Sequence, residues 1–178
     1  MYTIISINAV VLELRERSES SAVIVLFSDE LGKLFVHAQG IRKLAAKHAS
    51  TMQLGARVQV DMVRGKHEWR LVGSTMLAPS VLASEADRMR FGRLAQVVRD
   101  LTAVEDPHPT VFQALAESAQ LTAKPSRRLL EEVSELGQVV EALGWWVDPV
   151  PLADYIEGVQ PLRQFVQAVN KGLTEAYS

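Results

Sequence analysis

The sequence predicts an α+β chain, a strand-built first half followed by an all-helical second half. Two observations carry this. Up to about residue 78 the apolar residues recur with a period of two, and beyond Ala78-Pro79 they recur with a period near 3.6. The charge divides at the same point: residues 1–78 hold ten Lys/Arg against seven Asp/Glu, and residues 79–178 hold nine against fourteen, within a net charge of −2. The expected domains are therefore 1–78 and 79–178, and the asymmetry points to a different partner for each.

The strands follow in order. Val10, Leu12 and Leu14 alternate with Val11, Glu13 and Arg15. Ser18-Glu19-Ser20-Ser21 reads as a hairpin loop, and "AVIVLF" (Ala22 to Phe27) is a β-branched apolar run. Asp29-Glu30-Leu31-Gly32 supplies a turn with glycine for a positive φ, and "KLFVHA" (Lys33 to Ala38) returns. "RVQVDMV" (Arg57 to Val63) puts Val58, Val60 and Met62 on one face; Arg64-Gly65-Lys66 turns the chain, and "HEWRLV" (His67 to Val72) follows with Trp69 and Leu71 on one face. Between the third and fourth strands Ile41, Leu44, Ala45 and His48 form one stripe of a short helix, with Arg42, Lys43 and Lys47 off it. Five strands with a short helix after the third is the layout of an OB-fold, a Greek-key barrel that often binds oligonucleotides.

The helical half opens at Ser84-Glu85-Ala86-Asp87, a capping signal. Ala86, Met89, Leu94, Val97, Val98 and Leu101 form the stripe of the first helix, which Asp106-Pro107-His108-Pro109 ends. Thr110 with Gln113 is a second capping box, opening a helix to about Leu121. Leu129, Val133, Leu136, Val140 and Leu143 mark a third helix, with Gly144 at C′. Trp145 to Pro151 reads as a loop. After Pro161, Leu162, Phe165, Val166, Val169 and Leu173 mark a fourth helix, completing a bundle.

Composition excludes several classes. The chain has no cysteine, so disulfides and thiolate metal sites are absent. Nearly half its residues are hydrophobic, enough for a real core. There is no signal-peptide pattern and no 18-residue apolar run, so a soluble, cytoplasmic protein with no membrane partner is expected. The four histidines (His37, His48, His67, His108) show no metal spacing. No phosphate-cradling glycine loop and no nucleophile elbow occurs. Glu131, Glu132, Glu135 and Glu141 read as a solvated helix face rather than an acid/base pair. Neither an enzyme nor a cofactor is expected.

Cations concentrate in the first half. Arg42, Lys43 and Lys47 either solubilise a short helix or meet an anion. Lys33, Arg64, Lys66 and Arg70 flank the same strands, and in an OB barrel the second and third strands with their loops line one groove. Cations along a groove track a phosphate backbone. These seven are the candidate nucleic-acid-binding residues. Phe35 and Trp69 are the available stacking platforms, although each reads first as core, so weak sequence preference follows. In the helical half Lys124, Arg127 and Arg128 stand at a helix start, where backbone N–H groups and the dipole also favour anions. They either form a partner site for an acidic peptide, with Leu129, Leu130 and Val133 behind them, or pair with Glu131 and Glu132 at i, i+4.

Three stretches of the first half, "AVVLELRERSESSAVIVLFSDELGKLFVHAQGIRK", "STMQLGARVQVDMVRG" and "EWRLVGSTML", resemble the N-terminal domain of the RecO family of bacterial recombination and repair proteins. "PSRRLLEEVSELGQVVEALGWWVD" resembles that family's helical segment, so the resemblance covers most of residues 1–148. It departs at Gln39, where the family carries a lysine, at Ile41 for alanine, at Met52-Gln53-Leu54-Gly55, and at Trp145-Trp146 in the tyrosine region. The chain is shorter than typical members and lacks the cysteine cluster that binds zinc in many of them, so no metal is expected. The resemblance implies a non-enzymatic, nucleoid-associated mediator that binds single- and double-stranded DNA, anneals strands, helps load recombinase, works with a RecR-like partner and contacts the acidic tail of single-strand-binding protein. A generic OB-fold nucleic-acid module and a protein-interaction adaptor are the alternatives.

Overall fold

The computed structural model describes residues 3–18, 21–39, 51–66, 68–122 and 124–178. Five strands, β1 (Ile4–Ser18), β2 (Ser21–Ser28), β3 (Gly32–Gln39), β4 (Arg57–Arg64) and β5 (Trp69–Ala78), close into a barrel in the order β1-β2-β3-β5-β4. Closure depends on the length of β1. Its first half pairs with β4, from Ile4↔Val63 to Val10↔Arg57, and its second half pairs with β2, from Ala9↔Ser28 to Ser18↔Ser21. β3 and β5 seal the barrel through a short parallel contact, Val36↔Trp69 and His37↔Arg70. The expected short helix of Ile41, Leu44, Ala45 and His48 lies outside the described residues.

Period-two patterning fills the barrel. Val11, Ile24, Leu26, Leu34, Val36, Val58, Val60 and Met62 point inward and are buried together. The intervening residues of β1 and β2 are also buried. Val10, Leu12, Val25 and Phe27 share one apolar cluster with Phe91, Leu94, Val98, Val111 and Leu115 of the helical half. The run "AVIVLF" is apolar on both faces because one face lines the barrel and the other lies under helices. This corrects the groove drawn from sequence. The outer face of β2 is covered at Val23, Val25 and Phe27, and the outward cations stand on either side of it, Arg15 on β1 and Arg70 on β5.

The helices are α1 (Glu85–Leu101), α2 (Pro109–Ser118), α3 (Arg128–Ala142), the short α4 (Leu152–Ile156) and α5 (Leu162–Tyr177). Ser84 caps α1 as expected, its Oγ accepting from the Asp87 N–H at 3.0 Å. The second capping box does not form. His108 is the N-cap of α2, with Pro109 in its first turn, so Thr110 lies inside the helix. α3 ends as predicted: Gly144 takes φ +80, its N–H reaches Glu141 O at 2.9 Å, and the Trp145 N–H reaches Val140 O at 2.8 Å.

The buried stripe of α1 is rotated from the predicted one. Met89 is 55% exposed, and Arg90 is 0% exposed. Arg90 goes inside because both terminal nitrogens of its guanidinium are met. It pairs with Glu135 and donates to Ser118 Oγ (2.9 Å), Ser118 O (3.0 Å) and Leu121 O (2.9 Å). Desolvation lifts the Glu135 carboxyl above its ordinary pKa, opposed by that guanidinium. α4 was missed by sequence reading. It presents Leu152 and Tyr155 to Val133, Phe165 and Val169, with the rings of Tyr155 and Phe165 stacked at 5.1 Å. No helix among the described residues is long and apolar enough to cross a membrane.

Candidate nucleic-acid interface

The open side of the barrel is built by register. Pairing aligns Arg15 of β1 with Val23 of β2, Val23 with His37 of β3, and His37 with Arg70 of β5. These residues alternate with the inward set and so share the outward side, a belt in which Arg15, His37 and Arg70 reach solvent while Val23 between them is buried. Phe35 stands one step along β3 on the same face and is 37% exposed. Arg17 lies two residues beyond Arg15 and is also exposed. Lys66, at the β4–β5 hairpin, is exposed and forms no ion pair with a described residue.

Two glutamates thread this belt, and a third, Glu105, lies at the end of the barrel on the inward-facing side of Arg64 and Trp69. Glu68 holds Arg70 Nε at 2.7 Å with one oxygen and lies 3.6 Å from His37 Nδ1 with the other. The Arg70 hydrogen bond first, then His37 and Arg17, hold the Glu68 carboxyl below its ordinary pKa. Glu13 binds Arg15 at 2.8 Å and also pairs with Arg99 of α1. Its pKa is lowered by the Arg15 hydrogen bond and by Arg99. Glu105 holds Arg64 Nη1 at 2.7 Å and accepts from Trp69 Nε1 at 2.9 Å, so its pKa is lowered by Arg64 and then by Trp69. Arg64 also stacks over the Trp69 ring, 4.8 Å from its centre.

The seven predicted cations therefore separate. Arg42, Lys43 and Lys47 lie outside the described residues; Gln39, beside the belt, is the last described residue before them. Arg64, Lys66 and Arg70 sit together at the β4–β5 hairpin, the two arginines each held by a glutamate. Lys33 is corrected. It is 7% exposed, and its ammonium donates to Arg99 O at 2.5 Å and to Thr102 O, the end of α1. A lysine there satisfies carbonyls that the helix leaves open and is not available to a ligand. Burial also lowers its pKa.

Sequence reasoning missed Arg15, Arg17 and His37. The signal was present: Arg15 and Arg17 are two apart on a strand, and His37 follows Phe35 by two. Which strand lies beside which was not legible. Of the two aromatic candidates, Phe35 is on the outer face, whereas Trp69 packs its ring against the barrel core.

In the helical half Lys124 and Arg127 are exposed and Arg128 is half-buried with Nε unpaired. The expected Arg128–Glu132 pair does not form, because Glu132 is held by Arg93 at 2.5 and 2.8 Å. Arg127 opens onto a cleft of about 340 Å³ between α2 and α3, with Leu121, Leu130 and Ile156 among its walls. Glu117, Glu131 and Glu135 line the same cleft. No cluster of His, Asp and Glu suited to a metal occurs among the described residues.

Residues 1–74 match the family model described as Recombination protein O N terminal. The chain is 25% identical over 128 residues to the DNA repair protein RecO of Prosthecochloris aestuarii, an alignment covering 70% of this chain and 48% of that protein. It is 30% identical over 137 residues to the DNA repair protein RecO of Myxococcus xanthus, covering 72% of this chain and 56% of that protein. The chain spans about half the length of the curated relatives it matches.

Proposed function

The chain belongs to the RecO family, and on that premise we propose that it serves DNA repair and recombination as a non-enzymatic, DNA-binding mediator. The proposal reads the barrel as an OB-fold that binds and anneals single strands, also accepts duplex, and assists recombinase loading with a RecR-like partner. The two expected domains divide the work: residues 1–78 hold DNA, and residues 79–178 meet protein partners. One observation carries the DNA reading. Arg15, His37 and Arg70 share the outward side of the barrel with exposed Phe35, Arg17 lies near Glu68 beside them, and Lys66 is exposed at the adjoining β4–β5 hairpin. Cations spaced along strands meet successive phosphates, and an aromatic face stacks a base without reading its sequence.

The test is a titration of a labelled single-stranded oligonucleotide at two or more salt concentrations. Affinity should fall with salt. Replacing Lys66 and Arg17 together by Ala should flatten the log–log slope by about 0.7 for each phosphate the protein no longer neutralises. Binding that ignores salt and both substitutions refutes the reading. A strand-annealing assay then separates a mediator from a generic nucleic-acid module.

We also propose Lys124, Arg127 and Arg128 as the contact for an acidic tail such as that of single-strand-binding protein. The apolar walls beside Arg127 support this; the three carboxylates of the same cleft oppose it. Reversing Arg127 and Arg128 to Glu should abolish binding of a tail peptide and leave oligonucleotide binding intact. Undiminished peptide affinity by calorimetry places the tail elsewhere.

A further inference from the structure

One loop of the helical half reaches the barrel at the edge of the proposed interface. β3 meets β5 only at Val36 and His37, which leaves the start of β3 unpaired on that side. The segment after α1 takes this place. Val104 bridges Lys33 in parallel, and the Glu105 N–H reaches Lys33 O at 3.0 Å. Glu105 itself adopts φ 58, the left-handed region, which costs a glutamate about 1–2 kcal/mol relative to its usual conformations. That conformation persists because the surrounding contacts fix it.

The contacts are specific. The Glu105 carboxylate occupies two donors at once: one oxygen takes the Arg64 guanidinium and the other takes the indole N–H of Trp69. A guanidinium stacked on an indole, each with an N–H donor aimed at one anion, is also the equipment for a nucleotide. The guanidinium suits one phosphate oxygen and the indole N–H a second, while the ring itself is taken by Arg64 and the barrel core. Arg64 and Glu105 are both partly open to solvent, at 60% and 34% side-chain exposure, so a competing anion can reach them. The loop backbone need not leave, since its hold on β3 runs through Val104 and the Glu105 N–H. Only the Glu105 side chain must swing.

We propose that Arg64 and Trp69 form a concealed nucleotide contact, and that the Glu105 carboxylate holds it shut as an internal stand-in for phosphate. This rests on the nucleic-acid reading of the barrel and adds to it a gate supplied by the other half of the chain. A phosphodiester that wins Arg64 from Glu105 frees the indole N–H as well, so engagement of this contact couples to the α1–α2 loop. If the gate is open a tenth of the time, removing it tightens binding about tenfold.

The experiment uses the full chain, a fluorescein-labelled oligothymidine strand, and a two-by-two set of Glu105→Gln and Arg64→Ala. Glu105→Gln should bind about three- to tenfold more tightly and steepen the log–log salt slope by about 0.7, the signature of one more phosphate neutralised. Arg64→Ala alone should change affinity less than about twofold, because Arg64 is already occupied, yet it should erase the gain of Glu105→Gln. Glu105→Gly serves as a second variant, since it removes the carboxylate at a residue whose φ suits glycine, and thermal melting checks that each variant folds. A strut without a gating role would lower the melting point and leave affinity, slope and the Arg64 dependence unmoved. If Glu105→Gln and Glu105→Gly bind within about 1.5-fold of wild type while Lys66→Ala still weakens binding, the gate is overturned and the interface stands. If no variant binds in a salt-dependent way, both are overturned.

Discussion

Replacing Lys33 by methionine separates structure from binding. The substitution keeps an apolar stem of similar length and removes the ammonium that donates to Arg99 O and Thr102 O. A hydrogen bond from a charged donor contributes about 1.5–3 kcal/mol, and a cation at a helix C-terminus adds about 0.3–1 kcal/mol. Against these stands the cost of burying an ammonium in a site where Lys33 is 7% exposed. The expected net loss is about 2–3 kcal/mol, a fall in Tm of roughly 4–12 °C for a chain of this size. Urea unfolding with an unchanged m-value, supported by calorimetry, measures it. The oligonucleotide salt slope should not move, because the ammonium faces carbonyls and not solvent. A destabilisation under about 0.5 kcal/mol together with a slope flattened by about 0.7 would refute the reasoning and return Lys33 to the DNA surface.

Three further outcomes are expected. Gly32→Ala should destabilise by about 2–5 kcal/mol in urea, since Gly32 takes φ +66 and an added Cβ would lie 1.9 Å from Asp106 O. Glu13→Gln should lower Tm at neutral pH, and the gap to wild type should close in acid. The Glu13 pKa is lowered in the fold, so its contribution is complete above the ordinary carboxylate value of 4.5 and disappears as pH falls through the folded one; a gap that persists at the lowest pH would contradict this. Glu135→Leu alone should cost about 3–5 kcal/mol by stranding the buried guanidinium, and Arg90→Met in the same chain should recover part of it; recovery stays partial because Arg90 also serves Ser118 O and Leu121 O.

Much of the fold was legible because periodicity is local. Val58, Val60 and Met62 alternate and all line the barrel, Ser84 caps α1, and Gly144 ends α3 with the predicted hydrogen bonds. The second capping box failed because Pro109 fixes the first turn two residues earlier than an N-cap at Thr110 requires. The α1 stripe was drawn wrongly because hydropathy ranks Met89 above Arg90. Burial of Arg90 is set by Glu135, Ser118 and Leu121, which are 28 or more residues away. The short α4 carries too few residues for a helical period to show.

The sequence by itself determined the change from strands to helices, the inward face of β4, the family resemblance and the concentration of cations in the first half. These follow from residue type and spacing over a few positions. It did not determine that Val11 of β1 lines the barrel while Val10 and Leu12 meet the helices. The tertiary structure alone decided which cations are available. Lys33 and Arg70 both lie on outward-facing strand positions, yet one is consumed by the end of α1 and the other stands in the open belt. The difference comes from where α1 and its following loop dock on the barrel, a long-range packing outcome driven by the shared cluster of Val25, Phe27, Phe91 and Val98. Hydrophobic burial is non-directional and cooperative, so no single stretch of sequence specifies which polar neighbours it brings together.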